Sequence, residues 1–225
     1  MSSAATQPAP FTAEQQFVFH GLSWEQYEGL LRTLGDRRLR HTYVEGALEI
    51  VSPSMNHEWA KSLLGELVAI SCRVLKLPRK SIGSTTMKKK RWRRAVEPDE
   101  GFYVGEKSVR TMRTRRTFNA DRDPPPELIV EIDITSSSDE RIAFYRRLGV
   151  REVWKYSDET VQFLALTRDA KYRKTARSRL FPFLAAADLT AWMAKGNTMD
   201  DTQIELEFEP WAAARVARNE LGKRT

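Results

Sequence analysis

Apolar side chains recur at helical spacing in three parts of the chain. Residues 23–34, SWEQYEGLLRTL, begin with Ser23 as a candidate N-cap, and residues 57–76, HEWAKSLLGELVAISCRVLK, carry the broadest apolar face. Residues 138–148, SDERIAFYRRL, are followed by Gly149, a typical C-cap. The pattern therefore predicts three helices, with a shorter helix near AAADLTAWMAKG (185–196) and a helical C-terminal tail.

Runs of β-branched and aromatic residues predict the strands. Residues 38–53, RLRHTYVEGALEIVSP, are typical of a hairpin that turns at EGA. Single strands are predicted at 80–92, at 96–104 (VEPDEGFYV), at 127–134, and in REVWKYS (151–157) and TVQFLALT (160–167), whereas the polar segment 106–124 predicts an exposed loop or flexible insertion. Helices that alternate with groups of strands in this way indicate a sheet flanked by helices, of the α/β or α+β class.

Length and composition fit one soluble domain with appendages. The 225 residues can bury a core, and 41% hydrophobic with 30% charged residues is ordinary for a globular protein. We expect a flexible N-terminal tail at 1–19, the main domain at 20–190 and a partly helical C-terminal extension at 191–225. The single cysteine, Cys72, excludes disulfide frameworks and cysteine zinc sites. Without an apolar run of 18 residues or a signal peptide, we predict a cytoplasmic protein that contacts no membrane.

Charge adds a candidate partner and a candidate site. The net charge of +7 favours a polyanion such as nucleic acid. Glu131 and Asp133 stand two apart in ELIVEIDITSSS, so on a strand they share one face, and Asp99 in the preceding strand could join them. Three converging carboxylates would suit Mg²⁺ or Mn²⁺. The alternative is that Glu131 and Asp133 occupy the solvent face of an amphipathic strand.

Several spaced motifs resemble a known family. They are YVEGALEIVSPSMNHE (43–58), EPDEGFYV (97–104), ELIVEIDITSSS (127–138), YRRLGVREVWKY (145–156) and LFPFLAAADL (180–189). In this order they are similar to the Uma family of restriction endonucleases, within the PD-(D/E)xK nuclease superfamily. The resemblance covers about residues 20 to 190.

The resemblance implies a restriction-endonuclease-like fold, with a central mixed sheet and flanking helices, and metal-dependent DNA cleavage. Carried onto this chain, it makes Asp99 and Glu131 ligands of Mg²⁺ (or Mn²⁺) and adds the backbone carbonyl of Ile132. It also makes residues 20–190 a nuclease domain. Glu58, at the start of the second helix, is the acidic residue that would approach the metal, although a carboxylate in a first helical turn is favourable in any case. His57 beside it could protonate a leaving oxygen or simply lie at the surface.

Two positions depart from the superfamily pattern. Asp133 stands where a lysine is usual, and Arg141 stands where this family often has a lysine on the following helix. Arginine can bind a phosphate but cannot act as a general base, because it stays protonated. Arg141 is therefore expected to stabilise charge, with Asp133 as an additional ligand or a base that orients water. Thr42 also replaces a residue that is commonly acidic in the family.

The densest cationic run lies directly before the Asp99 strand. It consists of Lys88, Lys89, Lys90, Arg91, Trp92, Arg93 and Arg94. We expect phosphate contacts from the cations and base stacking from Trp92; a solvated strand end with Trp92 in the core is the alternative. Together these features predict a Mg²⁺-dependent endodeoxyribonuclease. The second hypothesis is a catalytically weakened protein that binds nucleic acid or another partner on the same fold. A homodimer is suggested by analogy with enzymes that cut both strands.

Overall fold

The computed structural model describes residues 15–35 and 40–221. Its helices are α1 (Trp24–Leu34), α2 (Met55–Val74), α3 (Glu106–Met112), α4 (Asp139–Leu148), α5 (Ala186–Ala194) and α6 (Asp201–Leu221). Its strands are β1 (Gln15–Phe19), β2 (Arg40–Val44), β3 (Ala47–Ser52), β4 (Arg79–Ser81), β5 (Met87–Lys89), β6 (Arg94–Val96), β7 (Glu100–Val104), β8 (Leu128–Asp133), β9 (Glu152–Ser157), β10 (Thr160–Leu166) and β11 (Tyr172–Thr175).

The helix ends follow from their capping residues. The Ser23 side chain accepts from the Gln26 backbone while the Gln26 side chain accepts from the Ser23 backbone, a complete capping box that starts α1. Ser54 caps α2 by accepting from the backbone N–H of His57. Gly149 ends α4 with φ 94°, a left-handed conformation that suits glycine. The predicted α1 and α4 are thus confirmed, and the predicted second helix is confirmed with a start two residues earlier.

The strands form two sheets. The first sheet has the order β1-β3-β2-β6-β5 and is antiparallel throughout. The second sheet has the order β11-β10-β9-β8-β7-β4, and within it β8 and β9 run parallel. Helix α4 makes this crossover, as a parallel connection requires. The expectation of a mixed sheet flanked by helices is confirmed, with a second, antiparallel sheet beside it.

The acidic stretch around Pro98 joins the two sheets. The strand predicted at 96–104 is wrong as a single strand, because β6 ends at Val96 in the first sheet and β7 begins at Glu100 in the second. Proline has no N–H for a ladder and restricts the residue before it, so the pairing stops here. The chain therefore crosses between the sheets through Glu97, Pro98 and Asp99. The two acids of this link contact different residues.

Three clusters of buried side chains hold these layers together. One face of the second sheet packs on α2, α5 and α6 around Trp154 and Phe181. Its other face packs on α4, where Ile129 and Val153 meet Phe144 and Tyr145. The first sheet packs its inner face on Trp24 and Tyr27 of α1. The site described below lies where the first sheet and α4 meet β8.

Four further expectations need correction. The strand predicted at 80–92 is two short strands, β4 and β5, in different sheets. The expected loop at 106–124 contains α3, and β11 was not predicted. Residues 15–19, assigned to a flexible tail, pair with β3 as an edge strand, while residues 1–14 lie outside the described residues. Helix α6 is part of the core rather than an appendage, because Ile204, Phe208 and Ala212 are fully buried in it.

Among residues 15–35 and 40–221, no helix is both long enough and apolar enough to cross a bilayer.

Candidate active site

Asp99 lies in the link between the sheets and is almost fully buried. Its Oδ2 accepts a hydrogen bond of 2.7 Å from the backbone N–H of Ile132 on β8. Its Oδ1 contacts Arg40 Nη1 and lies 3.0 Å from Nε2 of His57. Burial alone would raise the pKa of Asp99, but His57 and Arg40 outweigh it and hold the pKa below its usual range. Asp99 is therefore an ionised acid beside the guanidinium of Arg40.

Glu131 lies in the middle of β8 with no exposed surface. Arg141 donates to its Oε2 from Nε at 2.8 Å and places Nη2 at an ion-pair distance of 2.8 Å from the same oxygen, and the Tyr145 hydroxyl donates to its Oε1 at 2.6 Å. Arg141 and Tyr145 are four residues apart and so share one face of α4. Burial raises the pKa of Glu131 to about 7, against the attraction of Arg141. The solvent-face alternative for Glu131 is thus wrong.

Arg40, the first residue of β2, contacts both acids. Its Nη1 reaches Asp99, and its Nη2 lies 3.7 Å from Oε2 of Glu131. Its Nη1 also lies 2.7 Å from Nε2 of His57. Since one ring nitrogen cannot accept from Arg40 and donate to Asp99 at the same time, His57 can serve only one of them. One guanidinium therefore stands between the two carboxylates predicted to share a cation.

Asp133 extends the cluster towards solvent. Lys155 of β9 lies with Nζ 2.7 Å from Asp133 Oδ2, which also accepts from the backbone N–H of Ser138. In the parallel pair, Lys155 is the register partner of Glu131, so the two side chains share one face. Burial would lower the pKa of Lys155, but the Asp133 contact raises it overall. Asp133 occupies the position where a lysine is usual in the superfamily, and it pairs with a lysine from the neighbouring strand.

Two further residues, Glu58 and Ile132, were predicted to lie near the metal. Glu58 is half exposed, accepts from Lys61 at 2.7 Å, and lies 3.4 Å from Nδ1 of His57. His57, rather than Glu58, makes the contact with Asp99. The Ile132 carbonyl remains a predicted ligand; the structure describes the Ile132 N–H as the donor to Asp99.

The basic run at 88–94 is largely paired within the protein. Lys88 contacts Glu28, Lys90 contacts Glu25, and Arg94 contacts Glu45 and Glu140. Lys89 is buried, donates to the Ala120 carbonyl and contacts Asp121. Trp92 packs edge-on against Phe144 of α4 and beneath Arg147. Arg91 and Arg93 are exposed, so they are the members best placed to meet a phosphate.

Comparisons with known proteins decide the family. The sequence matches the family Uma2, described as "Putative restriction endonuclease", over residues 24–193, more than half of the chain. The chain belongs to this family. No curated protein matches it. A crystal structure described as "a putative nuclease belonging to DUF820 from Anabaena variabilis ATCC 29413" superposes with a TM-score of 0.49 at 14% identity, covering 76% of this chain and 99% of that one.

Three residues of this Uma2 chain contribute to the cluster without having been predicted to lie there, namely Arg40, Tyr145 and Lys155. His57, a candidate proton donor from the sequence, joins them as a partner of Asp99. Two had a signal in the sequence: Tyr145 follows Arg141 by four residues, and Lys155 becomes the partner of Glu131 if the two strands are paired in parallel. Arg40 had none, because a cation at the start of a strand is ordinary on any surface.

The donor set of this Uma2 chain fits a hard divalent cation in one respect and is incomplete in another. Between residues 15 and 221, leaving out 36–39, no group of three or more His, Cys, Asp or Glu side chains is arranged to hold a metal. Mg²⁺, however, is commonly bound by one or two carboxylates together with water and substrate phosphate. Asp99 Oδ1 is buried without a hydrogen bond. The guanidinium of Arg40 already contacts both carboxylates.

Proposed function

We propose that this protein is an endonuclease that hydrolyses DNA phosphodiester bonds with the help of Mg²⁺. One observation carries the proposal: Asp99 and Glu131, buried side chains from different parts of the chain, face a single shared cation. Two acids are rarely buried together unless their charge is compensated, because burying a charge costs free energy. Buried acids with shifted pKa values are common at functional sites. Membership of a restriction endonuclease family supports the same conclusion.

The residues divide into ligands and supports. Asp99 and Glu131, with the Ile132 carbonyl, would hold the ion. When bound, Mg²⁺ supplies an acidified water molecule and positive charge beside the phosphodiester. Arg141 fixes the rotamer of Glu131 through one hydrogen bond and a close ion-pair contact, and Tyr145 fixes the other carboxylate oxygen. Arg141 is 3% exposed, so its role in this proposal is to orient Glu131 rather than to grip substrate.

Lys155 is better placed than Arg141 to meet the substrate. Its side chain is 18% exposed, and its ammonium has three donors for contacts with Asp133 and the exposed Asp139. A phosphate oxygen that approaches from solvent would complete this set. Asp133 would hold Lys155 in place and orient water in the same region. The net charge of +7 would add long-range attraction for DNA.

A plasmid-nicking assay tests the proposal. Wild type, Asp99→Asn and Glu131→Gln are compared with Mg²⁺ or Mn²⁺, because these substitutions keep the shape of the side chain and remove its charge. Each should lower nicking by at least about 100-fold. Asp169→Asn, an exposed acid far from the cluster in the β10–β11 turn, serves as the matched control and should cleave like wild type. Equal nicking by all four proteins would contradict the assignment.

A specific observation favours a second candidate, a protein that binds DNA without cutting it. The carboxylates are already neutralised by guanidinium groups, and no lysine follows Glu131 at the second position. Salt-dependent binding of a DNA duplex, without nicking at any Mg²⁺ or Mn²⁺ concentration, would establish this alternative. A homodimer remains a prediction, which sedimentation velocity with and without DNA would test.

A further inference from the structure

The charges of the cluster balance without any added ion. When all three acids are ionised, Asp99, Glu131 and Asp133 face three positively charged side chains, Arg40, Arg141 and Lys155. A divalent ion added to this set would leave two uncompensated positive charges in a buried place, which is strongly unfavourable. Removal of one cation lowers this excess to one, and a single negative phosphate then restores neutrality. Metal binding is therefore expected to require the departure of one cation.

Arg40 is the cation that can leave. Arg141 donates a hydrogen bond from Nε to Glu131, places Nη2 2.8 Å from the same oxygen and is 3% exposed, whereas Arg40 lies 3.7 Å from that oxygen and is 12% exposed. The Nη2 of Arg40 is buried without a hydrogen bond and lies only within ion-pair range of Glu131. When Arg40 withdraws, Nε2 of His57 no longer has to accept from it and can donate to Asp99, 3.0 Å away. The acid that loses Arg40 thus keeps a partner.

We propose that Arg40 is an internal cation that occupies the divalent-metal position, and that metal binds only as Arg40 withdraws to a phosphate of the nucleic acid. The inference rests on the proposed function, since it concerns the same two carboxylates. A guanidinium pairs with a phosphate through two parallel hydrogen bonds, so substrate offers Arg40 a strong alternative partner. DNA and metal should consequently bind with positive cooperativity.

Mn²⁺ binding, measured by calorimetry without DNA, tests the first half. All proteins are titrated at the same pH, because metal ions compete with protons for carboxylate ligands. Arg40→Gln should bind Mn²⁺ at least about 10-fold more tightly than wild type. Arg40→Lys retains the charge and should stay near wild type. Arg73→Gln, which removes an exposed arginine paired with Glu209, should change nothing. Adding Asp99→Asn to Arg40→Gln should abolish the gain.

A second measurement uses wild-type protein, so its result does not depend on whether an Arg40 variant folds. With a short phosphorothioate DNA duplex present, wild type should bind Mn²⁺ at least about 10-fold more tightly than without it. Arg40→Gln, if folded, should show a smaller gain. Wild-type affinity that is unchanged by the duplex, or Arg40→Gln affinity no higher than wild type, would overturn the inference.

The two proposals fail in different ways. If Asp99→Asn abolishes nicking while Arg40→Gln leaves Mn²⁺ affinity unchanged, the endonuclease stands and the role of Arg40 is wrong. If neither wild type nor Arg40→Gln binds Mn²⁺ and no protein nicks plasmid, the metal-dependent function itself is wrong.

Discussion

Replacement of Arg141 by methionine should destabilise the fold in a pH-dependent manner. Methionine keeps most of the side-chain length and removes the charge that faces Glu131. Removal of one partner from a buried ion pair commonly costs about 3–5 kcal/mol, because the other charge is left without compensation. Glu131 can escape part of this cost by taking up a proton, since burial already raises its pKa to about 7. The size of the effect is therefore set by pH.

The direction follows from proton linkage. A carboxyl whose pKa is higher in the folded than in the unfolded state binds its proton more tightly when folded, so stability falls as pH rises. In wild type this loss from Glu131 runs between its ordinary pKa of 4.5 and about 7. Without Arg141 the pKa of Glu131 rises further, and the loss continues at higher pH at up to about 1.4 kcal/mol per unit. The difference in free energy of unfolding between wild type and Arg141→Met should thus widen from about pH 6 to about pH 9.

Urea unfolding at several pH values, followed by tryptophan fluorescence, measures this deficit. Near pH 9 we expect about 3–5 kcal/mol, and clearly less near pH 6. Arg146→Met, an exposed arginine on the same helix, should stay within about 0.5 kcal/mol of wild type at every pH. Adding Glu131→Gln to Arg141→Met should remove the pH dependence. A deficit that is constant with pH, or no larger than the control, would refute the ion-pair argument.

Three further predictions concern packing, reactivity and substrate contact. Gly196→Ala would place its Cβ 2.1 Å from Trp59 and should lower the free energy of unfolding in urea by about 1–3 kcal/mol. Gly65→Ala lies inside α2, where the added Cβ meets nothing within 4 Å, and should raise the free energy of unfolding by up to about 1 kcal/mol. Similar effects of the two substitutions would contradict this packing. Burial raises the pKa of the Cys72 thiol to about 11, so a thiol reagent at about pH 8 should react slowly with folded protein and quickly in urea; rapid reaction of the folded protein would contradict its burial. Lys155→Met should lower the salt slope of DNA binding by about one, whereas Arg173→Met, which removes an exposed arginine, should leave it unchanged. An unchanged slope for Lys155→Met would remove Lys155 from the phosphate contacts.

Local sequence signals predicted the elements whose ends are defined by near neighbours. Ser23 and Gln26 cap α1 across three residues, and Gly149 ends α4 in the conformation that glycine allows. The hairpin of β2 and β3 follows from Glu45 and Gly46, both of which adopt positive φ in the turn. These interactions lie within a few residues, so the pattern of the chain contains them completely.

Distant contacts decided the elements that were mispredicted. Alternation in residues 80–92 and 96–104 indicates β structure but not which sheet receives each half. The strand β1 was missed because QQFVF has exposed side chains and depends on its backbone pairing with β3. Helix α6 has no strong apolar stripe that reveals its place, yet its buried residues pack on α2.

The sequence by itself indicated the acids of the candidate site, because Pro98-Asp99 and Glu131-x-Asp133 are local patterns that resemble those of a nuclease superfamily. Only the tertiary structure decided how their charge is balanced. Arg40 lies 59 positions before Asp99 in the numbering, and Lys155 reaches Asp133 from the next strand. A buried acid is neutralised by whichever cation the fold brings within a few ångströms, and chain separation carries no information about that distance. The position of Arg40 between Asp99 and Glu131 is therefore a property of the fold.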